Sequence, residues 1–119
     1  MKRILFVEDD KGIRDLYGAF FGAHYHSTLA ETAEEGLDIF TREKFDLLIT
    51  DHHLGAGMTG HDLIGKVKAM GYQIPVLMVS AKPPHDTIPN AKLSDEYQYP
   101  YLRKPVMMRE IKATIDSFF

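Results

Sequence analysis

A short apolar run that ends in a single carboxylate constrains this chain more than any other stretch. Residues 45–51 read FDLLITD, so that three apolar residues and a threonine lead directly to Asp51. A continuous apolar run of this length is typical of a strand that is buried on both faces of a parallel sheet. In open α/β sheets the functional crevice lies beyond the carboxyl ends of the strands. The pattern therefore predicts that Asp51 lies at the mouth of such a crevice.

Strand and helix patterns alternate along the rest of the chain. Besides the strand that ends at Asp51, strands are predicted over 4–7, 25–29, 76–80 and 99–103. Apolar residues at helical spacing predict helices over about 11–21, 33–42 and 60–70 and from about 107 onward. Asp10 and Thr32 are expected to cap the first two helices, with Glu35 completing a capping box, and Gly71 is expected to end the third. This alternation predicts an α/β fold: a doubly wound, five-stranded parallel sheet with helices on both faces.

Residues 82–98 break this rhythm. Pro83, Pro84 and Pro89 are incompatible with a long regular helix through the first half of the stretch. Residues 91–96 leave room for a turn or two, so the fourth helix is expected to be short or irregular.

Composition narrows the class of protein. The 119 residues suggest one domain over 1–119 with no length left for an output domain, and a net charge of -3 gives no electrostatic reason to expect nucleic-acid or membrane binding. The absence of cysteine excludes disulfides, thiolate catalysis and Cys-type zinc sites. The chain has neither the apolar stretch of about 7–15 residues of a secretory signal nor the roughly 18–20 apolar residues of a membrane span. These features are compatible with a cytoplasmic protein.

Polar side chains collect at the predicted strand ends. Glu8 and Asp9 follow the first strand, Asp51 the third, Ser80 ends the fourth, and Lys104 follows the fifth. In a parallel sheet these groups meet at one edge, where clustered carboxylates repel each other unless a cation such as Mg²⁺ neutralises them. Carboxylates, Mg²⁺, a lysine and a hydroxyl describe a phosphoryl-transfer site. Asp51 is the predicted nucleophile, and Glu8 and Asp9 are the predicted metal ligands.

Four sequence motifs are similar to those of one protein family. The chain resembles the receiver domain of bacterial two-component response regulators, single-domain chemotaxis regulators among them, through ILFVEDDKGIR, DLLITD, IPVLMVSA and YLRKP in that order. The resemblance covers nearly the whole chain. It implies a flavodoxin-like strand order of 2-1-3-4-5 and a phosphoacceptor switch that promotes its own phosphorylation and dephosphorylation without being an independent turnover enzyme.

The resemblance also assigns roles to residues. It implies that Asp51 accepts a phosphoryl group from a histidine kinase or histidine phosphotransfer protein in a Mg²⁺-dependent reaction. The metal ligands would be Glu8, Asp9 (the preferred direct ligand), Asp51 and the backbone carbonyl of His53. Ser80 and Lys104 would contact the phosphoryl group, Lys104-Pro105 would be a cis peptide, and Tyr101 would be the aromatic switch that signals to a downstream protein.

Three segments depart from the family pattern. The loop from Leu54 to Gly60 lacks the usual proline and is one residue longer, which bears on the His53 carbonyl. The proline-rich stretch 83–89 replaces much of the usual fourth helix, and residues 97–100 read YQYP instead of Gly-Ala before the switch strand. Coupling to partners through this face is therefore expected to be altered.

Other functions are compatible with parts of the sequence. A receiver-like adaptor that binds a partner without phosphorylation is the alternative favoured by the altered loop and the proline-rich segment. Gly55 to Gly60 also spells G-x-G-x-x-G, a dinucleotide fingerprint that would suit a nucleotide-binding enzyme, but the four residues 51–54 stand between the strand and its first glycine. His52, His53 and His61 are interpreted as loop residues at the rim of the site rather than as a zinc or copper site. Ser80 as a plain turn cap remains a serious alternative.

Overall fold

Five parallel strands form the centre of the molecule in the computed structural model, which describes residues 1–81 and 99–119. Their order is β2-β1-β3-β4-β5, as the family resemblance implied. The strands are β1 (Arg3–Val7), β2 (His26–Ala30), β3 (Leu47–Thr50), β4 (Val76–Ser80) and β5 (Tyr101–Arg103). The helices are α1 (Lys11–Phe21), α2 (Ala33–Arg42), α3 (Gly60–Ala69) and α4 (Met108–Ser117). The doubly wound α/β architecture is thereby confirmed.

The register of the strands brings their carboxyl ends together. Val7 pairs with Thr50 across β1 and β3, and Ser80 pairs with Arg103 across β4 and β5. Thr50 in turn pairs with Met78, close to the end of β4. The residues that follow β1, β3 and β5 therefore emerge at the same edge of the sheet.

Helices cover both faces of the sheet and divide the core in two. One core contains α2 and α3 packed on one face, and the other contains α1 and α4 packed on the opposite face. Successive β1 residues alternate between them, since Leu5 and Val7 lie in the first core whereas Ile4 and Phe6 lie in the second. A fully buried side chain of this size stabilises the fold by about 1.5–3 kcal/mol. The apolar runs therefore hold the strand ends in place from both sides.

The helix ends follow the sequence signals closely. Asp10 caps α1 by accepting a hydrogen bond from the Ile13 backbone N–H, and Thr32 caps α2 by accepting one from Glu35. The complete capping box lies elsewhere, at the start of α3, where the Thr59 and Asp62 side chains bond each other's backbone N–H. The boundaries of α2 were predicted correctly.

The predicted strands differ slightly in extent from the structure. β1 begins one residue earlier, at Arg3, β2 is shifted by one residue to His26–Ala30, and β5 begins at Tyr101 rather than at residue 99. Tyr99 is instead a buried side chain ahead of the strand, whose hydroxyl lies 2.8 Å from His61 Nδ1 on α3. The predictions for the proline-rich stretch 83–89 and for a short or irregular helix between β4 and β5 concern residues 82–98, which lie outside the described residues. No helix in the described ranges is long and apolar enough to cross a membrane.

Candidate functional site

Three carboxylates from two strand ends converge at the carboxyl edge of the sheet. Asp51 follows β3, and its backbone N–H donates to the Val7 carbonyl at 3.0 Å. Glu8 follows β1 and is only 1% exposed, whereas Asp9 faces solvent. One carboxylate oxygen from each of Glu8, Asp9 and Asp51 lies within 4.8 Å of the others. Oxygen ligands at this spacing fit a hard divalent cation such as Mg²⁺.

Lys104 joins the two buried carboxylates. Its Nζ donates to Glu8 Oε2 at 2.9 Å and to Asp51 Oδ2 at 2.8 Å. Its backbone N–H donates to the Ser80 carbonyl at 2.9 Å, which ties the residue to the end of β4. The Lys104–Pro105 peptide bond is cis, in agreement with the prediction.

Burial and charge perturb the ionisation of this cluster. Burial raises the pKa of Glu8 to about 7; hydrogen bonding to Lys104 opposes the rise and the charge of Asp51 adds to it. Burial alone would lower the pKa of Lys104, but hydrogen bonds and charges from Asp51 and Glu8 outweigh it and raise that pKa. Lys104 therefore stays cationic, and the carboxylates carry a repulsion that a metal ion would relieve.

Ser80, whose backbone carbonyl bonds Lys104, has an unpaired hydroxyl among the described residues. The residue is fully buried, and its Oγ has no hydrogen-bond partner within residues 1–81 and 99–119. A buried hydroxyl without a partner costs free energy, and a plain turn cap would have its partner in the backbone. The Ser80 hydroxyl is therefore available to donate a hydrogen bond to an oxygen atom of a group that binds in the site.

His53 and Tyr101 occupy the positions that the sequence predicted, but their roles remain predictions. His53 lies on the exposed loop after Asp51, and its ring contacts that of His52 with centroids 4.8 Å apart. Tyr101 begins β5 and is 42% exposed. The prediction that His52 lies at the rim of the site is wrong, because its side chain is buried and only 3% exposed. Burial, with the charges of His53 and His61, lowers the pKa of His52.

The structure adds residues that the sequence analysis did not assign. Arg14 on α1 donates from Nη1 to the carbonyl oxygens of Glu8 at 3.0 Å and Asp9 at 2.7 Å, which holds the acidic pair in place. Thr50 Oγ1 donates to the Asp51 carbonyl at 2.8 Å. Glu34 on α2 accepts a hydrogen bond from the Met58 backbone N–H in the loop after Asp51. Arg14 was within reach of the sequence, since it belongs to the motif ILFVEDDKGIR, whereas no pattern pointed to Glu34.

The structure weighs against the two other kinds of site. Among the described residues, Glu8, Asp9 and Asp51 are the only three candidate ligands that lie close enough together to share a metal, so the histidines do not form a comparable group. The Gly55–Gly60 segment packs against the Glu34 carboxylate, which would repel a pyrophosphate.

Comparisons with known proteins agree with this geometry. The family model "Response regulator receiver domain" matches residues 4–116. The chain is 31% identical over 116 residues to the transcriptional regulatory protein GlrR of Escherichia coli (strain K12), a match that covers 96% of this chain and 25% of GlrR. It is 28% identical to the sporulation initiation phosphotransferase F of Bacillus subtilis (strain 168), covering 98% of this chain and 93% of that protein.

A solved structure shows the same fold at full coverage. The response regulator protein TrrA from Thermotoga maritima, in complex with Mg(2+)-BeF, superposes with a TM-score of 0.83 at 26% identity, covering 100% of both chains. This chain spans 25% of the length of GlrR and less than half of the length of several other relatives that it matches. With the family match over nearly its whole length and the acidic cluster at the carboxyl edge of its sheet, the chain belongs to the response regulator receiver domains, the phosphoacceptor switch domains of two-component signalling.

Proposed function

We propose that Asp51 is the phosphoacceptor of this receiver domain. A carboxylate oxygen of Asp51 attacks the phosphorus of a phosphohistidine on a histidine kinase or histidine phosphotransfer protein. The phosphorus–nitrogen bond breaks, its electron pair returns to the donor imidazole, and an acyl phosphate forms on Asp51. The observation that carries this proposal is the contact of Asp51 with a lysine ammonium at 2.8 Å beside a buried, unpaired serine hydroxyl.

The acidic cluster supplies the cation site that this reaction needs. Glu8, Asp9 and Asp51, with the backbone carbonyl of His53, would hold Mg²⁺. When bound, Mg²⁺ neutralises charge on the carboxylates and on the phosphoryl oxygens. TrrA, at 26% identity, was solved with Mg(2+)-BeF, which supports the same chemistry here.

Lys104 and Ser80 provide the switch. Phosphorylation adds a charge of about -1.5 to -2 at Asp51. Lys104 Nζ then has phosphoryl oxygens to bind in addition to Glu8 and Asp51, and Ser80 Oγ gains an acceptor for its proton. Both residues move toward the phosphoryl group when they bind it. Because Lys104 follows β5 and Ser80 ends β4, this movement shifts Tyr101 at the start of β5, and a downstream protein binds the surface around Tyr101.

An apolar groove beside the site suits a protein phosphodonor. It has a volume of about 450 Å³ and is lined by α1 residues such as Ile13 and Leu16, by Lys104 and Pro105, and by the start of α4. Leu16 is 56% exposed and lines this groove, so its apolar side chain is accessible to a partner. A helix carrying phosphohistidine would bury this groove while its imidazole reached Asp51.

The first test uses a small phosphodonor, so that the cognate kinase need not be known. Wild type and Asp51→Asn are incubated with acetyl phosphate, with Mg²⁺ or with a chelator, and intact mass is measured. We expect one phosphoryl adduct on wild type only with Mg²⁺, and none on Asp51→Asn, which keeps the shape but removes the nucleophile. No adduct on folded wild type would contradict the proposal and support a phosphorylation-independent adaptor instead.

A further inference from the structure

We infer that Glu34 is a positioning residue that fixes the loop between Asp51 and α3, and thereby sets the affinity of the acidic site for Mg²⁺. The inference rests on the proposed function, because the loop carries the His53 carbonyl proposed as a metal ligand. Glu34 belongs to neither the acidic cluster nor any sequence motif, and it acts through the backbone from a different helix.

The contacts between Glu34 and the loop are specific. Glu34 lies in the first turn of α2, and its Oε1 accepts a hydrogen bond from the Met58 backbone N–H at 2.5 Å. The loop passes so close to this carboxylate that a Cβ at Gly57 would collide with it. A bond from a backbone N–H to an ionised carboxylate is roughly twice as strong as a neutral one. The absence of a side chain at Gly57 is thus what permits this contact.

Other attachments of the loop lie on either side of the Glu34 contact. The Gly60 N–H donates to the His52 carbonyl at 2.8 Å, and Leu54 is 3% exposed and belongs to the core. The Met58 side chain is half-buried against the same core. Among the described residues, Glu34 adds the side-chain acceptor for the Met58 backbone N–H, and Gly55 turns the chain before it with a φ of +85°.

A glycine-rich loop of this kind gains most from such an anchor. Glycine loses more backbone freedom on ordering than any other residue, so the free loop samples many conformations. His53 lies between Asp51 and the buried Leu54, at the start of the loop whose later part is held by Glu34. Holding Met58 therefore restricts the directions in which the His53 carbonyl can point, and lowers the entropy that cation binding must otherwise remove. This device compensates for the extra residue and the missing proline of the loop.

The experiment compares three variants by calorimetric titration with Mg²⁺ alone. Glu34→Ala removes the acceptor, Glu34→Gln keeps a carbonyl oxygen that can accept from Met58, and Glu35→Ala removes the same charge from the same helical turn. We expect Glu34→Ala to raise the Kd for Mg²⁺ by up to about tenfold, the low end of the effect of losing a group that bonds a metal ligand directly, because Glu34 acts through the loop backbone. Glu34→Gln is expected to recover most of the affinity, and Glu35→Ala to remain close to wild type.

A second measurement keeps the inference testable without metal. Hydrogen exchange of the Met58 amide, followed by NMR in the metal-free protein, should be faster in Glu34→Ala while the core amides of β1 and β3 stay protected. Equal Kd values for wild type and Glu34→Ala, or equal shifts in Glu34→Ala and Glu35→Ala, would overturn the inference and leave the proposed function standing. Wild type that binds no Mg²⁺ would overturn both.

Discussion

Ser80 and Glu8 are buried polar residues that a core built only for stability would replace. Ser80 Oγ has no partner among the described residues, and Glu8 is a carboxyl group that is 1% exposed. Proteins retain such groups where chemistry requires them, at a cost in free energy of unfolding. At both positions, stability and function should therefore respond to substitution in opposite directions.

Ser80→Ala is the first test of this opposition. We expect the free energy of unfolding to rise by about 1 kcal/mol, because an unsatisfied buried hydroxyl is removed. Phosphorylation by acetyl phosphate should slow at least about tenfold, because one donor to the phosphoryl group is lost. Urea unfolding and intact mass over time measure the two effects. Ser27→Ala, at a partly buried serine of β2 away from the site, serves as the control, and a loss of stability in Ser80→Ala would count against the unpaired hydroxyl.

Glu8 predicts a pH dependence of stability in the metal-free protein. Its pKa is raised from 4.5 to about 7, so folding favours the protonated carboxyl group. The stabilisation is fully present below pH 4.5 and is lost as the pH rises through about 7. Over this pH range, the free energy of unfolding of wild type should fall by on the order of 2 kcal/mol relative to that of Glu8→Gln, after allowance for solvent screening.

Urea unfolding at several pH values, with a chelator present, measures this difference. Glu8→Gln resembles the protonated carboxyl group and should lack this component of the pH dependence. The pH range from 5 to 8 brackets the raised pKa of Glu8, about 7. If the difference in free energy of unfolding between wild type and Glu8→Gln stays constant over this range, Glu8 does not titrate as expected.

At the scale of the element, two helical glycines have opposite surroundings. Gly36 in α2 is buried, and a Cβ there would lie 2.8 Å from Val7 Cγ2 on β1. Gly65 in α3 is exposed, and no described atom lies within 4 Å of the Cβ position. Alanine is favoured over glycine in a helix by about 1 kcal/mol at either site, so packing decides the net effect.

Gly36→Ala and Gly65→Ala therefore form a matched pair. Overpacking costs about 1–3 kcal/mol, so Gly36→Ala should lower the free energy of unfolding despite the gain in helix propensity. Gly65→Ala should raise it by about 0.5–1 kcal/mol. Both follow from thermal or urea unfolding, and stabilisation by Gly36→Ala would contradict the close packing of α2 on β1.

At the scale of the whole molecule, the groove between α1 and α4 separates two routes of phosphorylation. Leu16→Ala should leave phosphorylation by acetyl phosphate unchanged, because the reacting groups are untouched. Transfer from a phosphorylated histidine kinase core that serves wild type should slow about tenfold, as expected for losing about 1.4 kcal/mol of apolar contact. Met70→Ala, at a 48% exposed apolar residue after α3, is the control. Equal transfer rates in wild type and Leu16→Ala would place the docking surface elsewhere.

Much of the fold and of the candidate site followed from local pattern. The apolar runs at 4–7, 47–49 and 76–79 have the length that is typical of buried strands, and Asp10 and Thr32 cap the first two helices by accepting from backbone N–H groups three residues later. Strand ends marked by charge predicted where Glu8, Asp51 and Lys104 would lie. The sequence failed where no period is present, as at Tyr99, which packs as a buried residue before β5 rather than within it.

Local sequence patterns were sufficient to predict the succession of strands and helices, their apolar faces and the kinds of group at the carboxyl edge, because capping and hydrophobic periodicity involve residues that are close in the chain. The individual contacts came from the packing of these elements. Lys104 reaches Glu8 across 96 positions and Asp51 across 53, and Glu34 meets Met58 across 24. The strand ends predicted that Lys104, Glu8 and Asp51 share one edge, but the distances between their atoms, and the contact of Glu34 with the loop, depend on how the helices and strands pack in three dimensions.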